Sequence, residues 1–120
     1  MKILFYSTDY IQAEQLISIV DSNVENVDIT VCRTFDHLDH TLRTVYTFSA
    51  VVLMVAKKEE LLELLTIRKM LVNNKIILIL PEDSDYFIKN ACKLYPRFLS
   101  ELGQNFIEIA DVLNKIACAN

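Results

Sequence analysis

The 120-residue sequence holds a single glycine, Gly103. That excludes every glycine-rich loop in which bare backbone amides cradle a phosphate, whether of the P-loop or the dinucleotide-binding kind. The three cysteines, Cys32, Cys92 and Cys118, are odd in number, far apart and without a CxxC pair. A disulfide framework is excluded, and no metal or redox chemistry is supported. They are expected to behave as small apolar residues in a reducing cytosol. Basic residues number 12 against 16 acidic ones, a net charge of -4. Nucleic-acid binding, for which a basic face is the usual requirement, is therefore disfavoured. Mean hydropathy is high at +0.28. Even so, no apolar run approaches the roughly 20 residues that cross a bilayer. The opening MKILFYSTDY goes straight into a strand-like segment, so a signal peptide is not expected and a cytoplasmic location is.

Against these absences stands an apolar content of 52% with 23% charged residues, the composition of a globular domain with a generous core. The length suits one domain spanning residues 1–120. Along it the hydrophobic period switches between two and 3.6. Lys2–Ser7 reads as a strand, then Ala13, Leu16, Ile17 and Val20 follow at helical spacing. Thr8 or Asp9 can cap that helix, and Gln12 lies three residues after Asp9, as in a capping box. Val27, Ile29 and Val31 alternate with polar residues as a second strand, and Phe35, Leu38, Leu42 and Val45 trace a second helix. Ser49–Ala56 and Ile76–Leu80 are apolar on both faces, with a third helix between them over Leu61, Leu64, Leu65 and Leu71. Glu59 and Glu60 lie in its first turn, where the macrodipole favours anions. A fourth helix is expected from about Ser84 to Tyr95, a last strand over Arg97–Ser100, and a fifth helix from Phe106 to Ala117.

Five rounds of strand then helix predict a three-layer α/β fold, a (βα)5 unit with a central five-stranded parallel sheet. Strands apolar on both faces belong in the middle of such a sheet. The first, third and fourth therefore fall inside and the other two at the edges, which is the flavodoxin-like order 2-1-3-4-5. Ligands of such folds bind at the carboxyl ends of the strands. The residues there are Ser7, Thr8 and Asp9, Arg33 and Thr34, Ala56 to Lys58, Pro81 to Asp83, and Ser100 with Glu101.

In length, element order and hydrophobic segments such as Ser49–Val55 and Lys75–Leu80, the chain resembles the receiver domain of two-component response regulators. The resemblance implies an acidic pair for magnesium after the first strand, where Ser7 and Thr8 stand with only Asp9 acidic. It implies a phosphate-accepting aspartate where Val55 stands, a switch hydroxyl at Leu80 and a lysine at about Glu101. Phe98 falls where the family often has a switch aromatic. Phosphoryl transfer needs a carboxylate nucleophile, hard oxygen ligands for magnesium and a cation on the moving group. Ser7, Thr8, Asp9, Val55, Leu80 and Glu101 are thus expected to form a degenerate phosphorylation pocket, with no metal and no cofactor. A one-residue slip does not rescue it, because Ser49–Ala56 contains no acid.

Other constellations carry less. His37 and His40, three apart, can share a metal but lack a third ligand and fit a solvated helical face. Tyr6–Tyr10 is hydroxyl-rich, as a flavin-phosphate turn is, yet capping of the first helix explains it. Lys57 and Lys58 either pair with Asp9 or Glu82 or face water. Tyr86, Lys89, Lys93, Tyr95, Arg97 and Phe98 gather aromatic and cationic character of the kind interface hot spots favour. In the receiver family the surface of the fourth helix, fifth strand and fifth helix contacts partners, so this one is expected to bind a kinase, a regulator or a second copy as a homodimer. The expected function is a non-catalytic, phosphorylation-independent interaction module in signalling. A sensor of flavin, nucleotide or quinone at the carboxyl edge is the alternative, and a residual magnesium-dependent receiver the third.

Overall fold

Strands with hydrocarbon on both faces need a cover on each side, and the chain supplies one of each kind. The computed structural model describes residues 1–45, 48–102 and 106–118. Gly103 lies outside the described residues. β1 (Lys2–Ser7), β2 (Asp28–Cys32), β3 (Ala50–Met54), β4 (Ile76–Leu80) and β5 (Phe98–Glu101) form one parallel sheet in the expected order β2-β1-β3-β4-β5. Its register sets Ile3 opposite Ala50, Val51 opposite Ile76 and Ile77 opposite Phe98.

Alternate residues of a strand point to opposite faces, and the two sets divide cleanly. Leu4, Tyr6, Leu53, Val55, Leu78 and Leu80 meet α2 (Phe35–Thr44), α3 (Lys58–Thr66), α4 (Arg68–Leu71) and α5 (Asp85–Ala91). Ile3, Phe5, Val52, Met54, Ile77 and Ile79 meet α1 (Tyr10–Asn23) and α6 (Ile107–Cys118). Each fully buried aliphatic side chain contributes about 1.5–3 kcal/mol, so the two layers hold the sheet from both sides. β2 and β5 are only half-buried along most of their length, as edge strands should be.

Helix starts follow local chemistry. Asp9, Thr34 and Ser84 each accept a hydrogen bond from the amide three residues on. Two helices depart from expectation. The third breaks at Ile67, whose φ of -110° and ψ of 23° end α3 before α4 begins. The Thr66 hydroxyl donates to the Glu63 carbonyl at 2.6 Å, a local bond that competes with the helical ladder. The fourth stops at Ala91, tightens into a 3-10 turn over Cys92–Leu94 and ends at Tyr95 with φ of 51°. Pro96 follows and disfavours helix at the residue before it. Cys32 is buried as expected, but Cys92 and Cys118 are exposed, because the 3-10 turn and the last turn of α6 face water there. Among the described residues no helix is long and apolar enough to cross a membrane.

Candidate functional site

At the carboxyl edge, the turn after β1 uses its own polar groups. The Ser7 Oγ is buried, accepts from the Asp9 amide at 3.0 Å and donates to the Asp9 carbonyl at 3.1 Å. The Asp9 carboxylate accepts from the Gln12 amide at 3.2 Å. The one acid expected for magnesium is therefore committed to capping α1.

Thr8 reaches across instead. Its hydroxyl donates to Glu60 Oε2 at 2.5 Å, while the Ala56 amide donates to Glu60 Oε1 at 2.8 Å. Glu60 is only 7% exposed. Lys57, at the N-cap of α3, supplies no side-chain cap, and Glu60 in the first turn closes the helix start from within. In this strand order the connections from β1 and β3 leave in opposite directions, so the crevice where such folds take a ligand lies between them. The Thr8–Glu60–Ala56 link spans that crevice.

Val55 is wholly buried, and Leu80, nearly so, borders a cleft at the carboxyl end of β5 together with Glu101. Both are buried in the apolar layer shared with Leu4 and Tyr6. The Val55 amide continues the ladder to the Ile79 carbonyl at 2.8 Å. Glu101 sits apart on β5, opposite Leu80. The structure thus joins Thr8 to Glu60, a residue the sequence placed only in a first helical turn, and leaves Asp9 and Glu101 in separate surroundings. Glu60 falls one turn before Leu64, on the buried stripe of α3. That spacing was the available sign of its burial.

The buried Tyr6 phenol is pushed up to about 12, first by burial and then by the negative charges of Glu60 and Glu63. An unfolded phenol ionises near 10. Its contribution to stability is therefore complete below about pH 10 and is lost as pH rises toward about 12, because the unfolded chain sheds its proton first. Between about pH 9 and 11.5, urea unfolding is expected to show wild type losing about 2 kcal/mol more than Tyr6→Phe. Equal losses would mean that the phenol ionises freely in the folded chain.

On the surface, Lys58 pairs with neither Asp9 nor Glu82. Its ammonium lies 4.8 Å from the Tyr86 ring centroid, and Tyr86 meets Phe87 edge to face. Lys89 is exposed, and Lys93 donates to Asn90 at 3.2 Å. The Arg68 guanidinium lies over Tyr95 and donates to its hydroxyl at 3.3 Å. Phe98 is half-buried against the α1–α6 layer, on the opposite side of the sheet from Tyr86. Two clefts flank β5. One, of about 360 Å³, is lined by Asp83, Ile88, Leu99, Glu101 and Glu108 among others. The other, of about 170 Å³, is lined by Lys75, Arg97, Val112, Lys115 and Ile116. His37 and His40 are exposed, and no group of three or more potential metal ligands exists among the described residues.

No family model matches the chain, and no curated protein sequence matches it. Solved structures match it in shape. A two-component response regulator from Clostridium difficile gives a TM-score of 0.80 at 13% identity, over 98% of this chain and 96% of that one. The receiver domain of response regulator 1452 from Francisella gives 0.79 at 16% identity, over 98% and 97%. A Burkholderia thailandensis protein provisionally linked to pilus assembly gives 0.77 at 14% identity, over 98% of each chain. The chain therefore has the flavodoxin-like fold of response-regulator receiver domains. Fold alone does not carry function.

Proposed function

We propose that the chain is a receiver-like interaction module of the cytoplasm that works in signal transduction without catalysis and without taking up a phosphoryl group. One observation carries this. The strand that should end in an acceptor acid ends in buried Val55, and the carboxylate that does reach the edge, Glu60, has each oxygen engaged, by Thr8 and by the Ala56 amide. Asp9 is held as a helix cap, so hard oxygen ligands for magnesium do not converge. The resemblance implies a cation for the phosphoryl group at about Glu101, which is an acid instead. The module's partner is a protein: a kinase, a regulator or a second copy. The flavin, nucleotide or quinone alternative needs an open crevice between β1 and β3, and the Thr8–Glu60 bond crosses it.

The test is a heteronuclear NMR titration with beryllofluoride and magnesium, repeated with acetyl phosphate. No cross-peak is expected to move beyond the effect of salt. A discrete set of shifts at Val55 through Glu60 would overturn the proposal.

A further inference from the structure

Two adjoining hollows open on the helix layer where α2 passes the break between α3 and α4. One, of about 520 Å³, is lined by Leu65, Ile67 and Met70 with Arg43, Arg68 and Lys69 among others. The other, of about 370 Å³, shares Arg43 and Met70 and adds Leu42, Asn73 and Asn74. Both volumes fall in the range of small-molecule sites. The floor is the apolar layer itself: Leu42 and Ile67 belong to it, and half-buried Leu65 and Met70 pack against it. Met70 lines both hollows, and its unbranched thioether adapts to varied apolar shapes. Among the described residues no acidic side chain lines either hollow, although acids outnumber bases in the chain by 16 to 12. α2 and α3 start at the carboxyl edge and run back, and Asn74 leads on to β4 at Ile76. The groove therefore lies at the amino end of the sheet, remote from the crevice that Thr8 and Glu60 close.

The carbonyl ends of α2 and α3 account for cations nearby. They do not account for the hydrocarbon left uncovered between those cations, which lies at the break of the helix at Ile67. Arg43 uses one nitrogen, Nε, on Asp39 at 3.1 Å, and the Lys69 ammonium makes no ion pair among the described residues. A ligand that fits must offer an apolar body to the floor and negative charge to the rim. A protein partner would need roughly 20–30 residues on each side, far more than line the two hollows. We propose that this groove binds a medium-chain fatty carboxylate, its tail along Leu65, Ile67 and Met70 and its head group against Arg43 and Lys69. A small anion without the tail is not held, because exposed ion pairs are weak alone. Burial of the tail supplies the affinity, and the cations set the sign of charge that is accepted. This goes beyond the interaction-module proposal and does not depend on it.

Heteronuclear NMR titration with sodium decanoate, kept below its micelle concentration, is expected to move the cross-peaks of Leu42, Arg43 and Leu65–Asn74 and to leave Val55–Glu60 in place. Octanoate should bind about three- to fivefold more weakly, since two methylenes are lost from a half-open groove, and acetate should not bind. Decyltrimethylammonium, with the same chain and the opposite charge, should leave the groove unmoved. Arg43→Gln with Lys69→Gln, both at exposed positions, should stay folded by circular dichroism and bind decanoate about tenfold more weakly. Met70→Glu, which puts an acid on the floor, should abolish binding. If it fails to fold, the double variant still decides. Silence toward decanoate, an equal response to the cationic amphiphile, shifts outside the groove, or an affinity unchanged in the double variant would each overturn the proposal. So would shifts of the same residues on raising protein concentration alone, which would make a second copy the occupant. None of these outcomes touches the interaction-module proposal, which falls only if beryllofluoride moves the spectrum.

Discussion

Val55→Asp, which introduces an acid where the resemblance to receivers implies one, is expected to lower stability by about 3–5 kcal/mol and to yield no phosphorylated protein. The wild-type side chain is 0% exposed, within a layer of Leu4, Tyr6, Leu53 and Leu80. An aspartate there stays neutral with a raised pKa or forces water into the apolar layer, and either is destabilising. The Glu60 carboxylate, bonded to the amide of the next residue, Ala56, repels a second carboxylate. For a chain of this size the loss corresponds to a fall in melting temperature of about 10–20 °C. Thermal unfolding measures the first part, and intact-protein mass spectrometry after acetyl phosphate treatment the second. A variant that melts with wild type and gains a phosphoryl group would show that the edge of β3 is open, and the proposed function would fail.

Removing the Glu60 carboxylate is the second large change. Glu60→Ala should cost about 2–3 kcal/mol, the sum expected for two charge-assisted hydrogen bonds in a buried place, less what water restores to exposed Thr8. Glu60→Gln should cost only about 1 kcal/mol, since an amide oxygen still accepts from Ala56 and the Thr8 hydroxyl can turn to accept from the amide nitrogen. Urea unfolding gives both values. Hydrogen exchange at Ala56 separates the local effect from the global one, with faster exchange in the alanine variant alone. Equal stability of all three proteins would mean that the link between the two loops holds nothing together.

The sheet order was legible because burial on both faces marks Ile3–Tyr6, Val51–Val55 and Ile76–Leu80 as interior, and 2-1-3-4-5 is the common doubly wound order that puts all three there. Helix starts were legible where a side chain accepts from the amide three residues on, as Asp9 does from Gln12. The break at Ile67 was not, since a hydroxyl bond from Thr66 to a carbonyl one turn back leaves the apolar spacing untouched. Glu60 was hidden for a different reason. A first-turn glutamate is ordinarily explained by the helix dipole, and nothing local says that Thr8, half a chain away, will meet it. The basic lining of the smaller cleft beside β5 was equally out of reach, because it joins Lys75, Arg97 and Lys115, which only the folded topology makes neighbours.

The position of β1 also shapes how the chain is made. Its two flanking strands are translated later, and Ile3 finds its second neighbour only when Ala50 has left the ribosome. At roughly 5–20 residues per second, that interval lasts seconds, far longer than a helix needs to form. During it β1, buried at five of its six residues in the finished fold, has no finished sheet to enter. α1, with Leu16 and Val20 facing the same layer as Ile3 and Phe5, is the cover nearest to hand, so the chain's first helix follows its first strand in time to shield one of its faces.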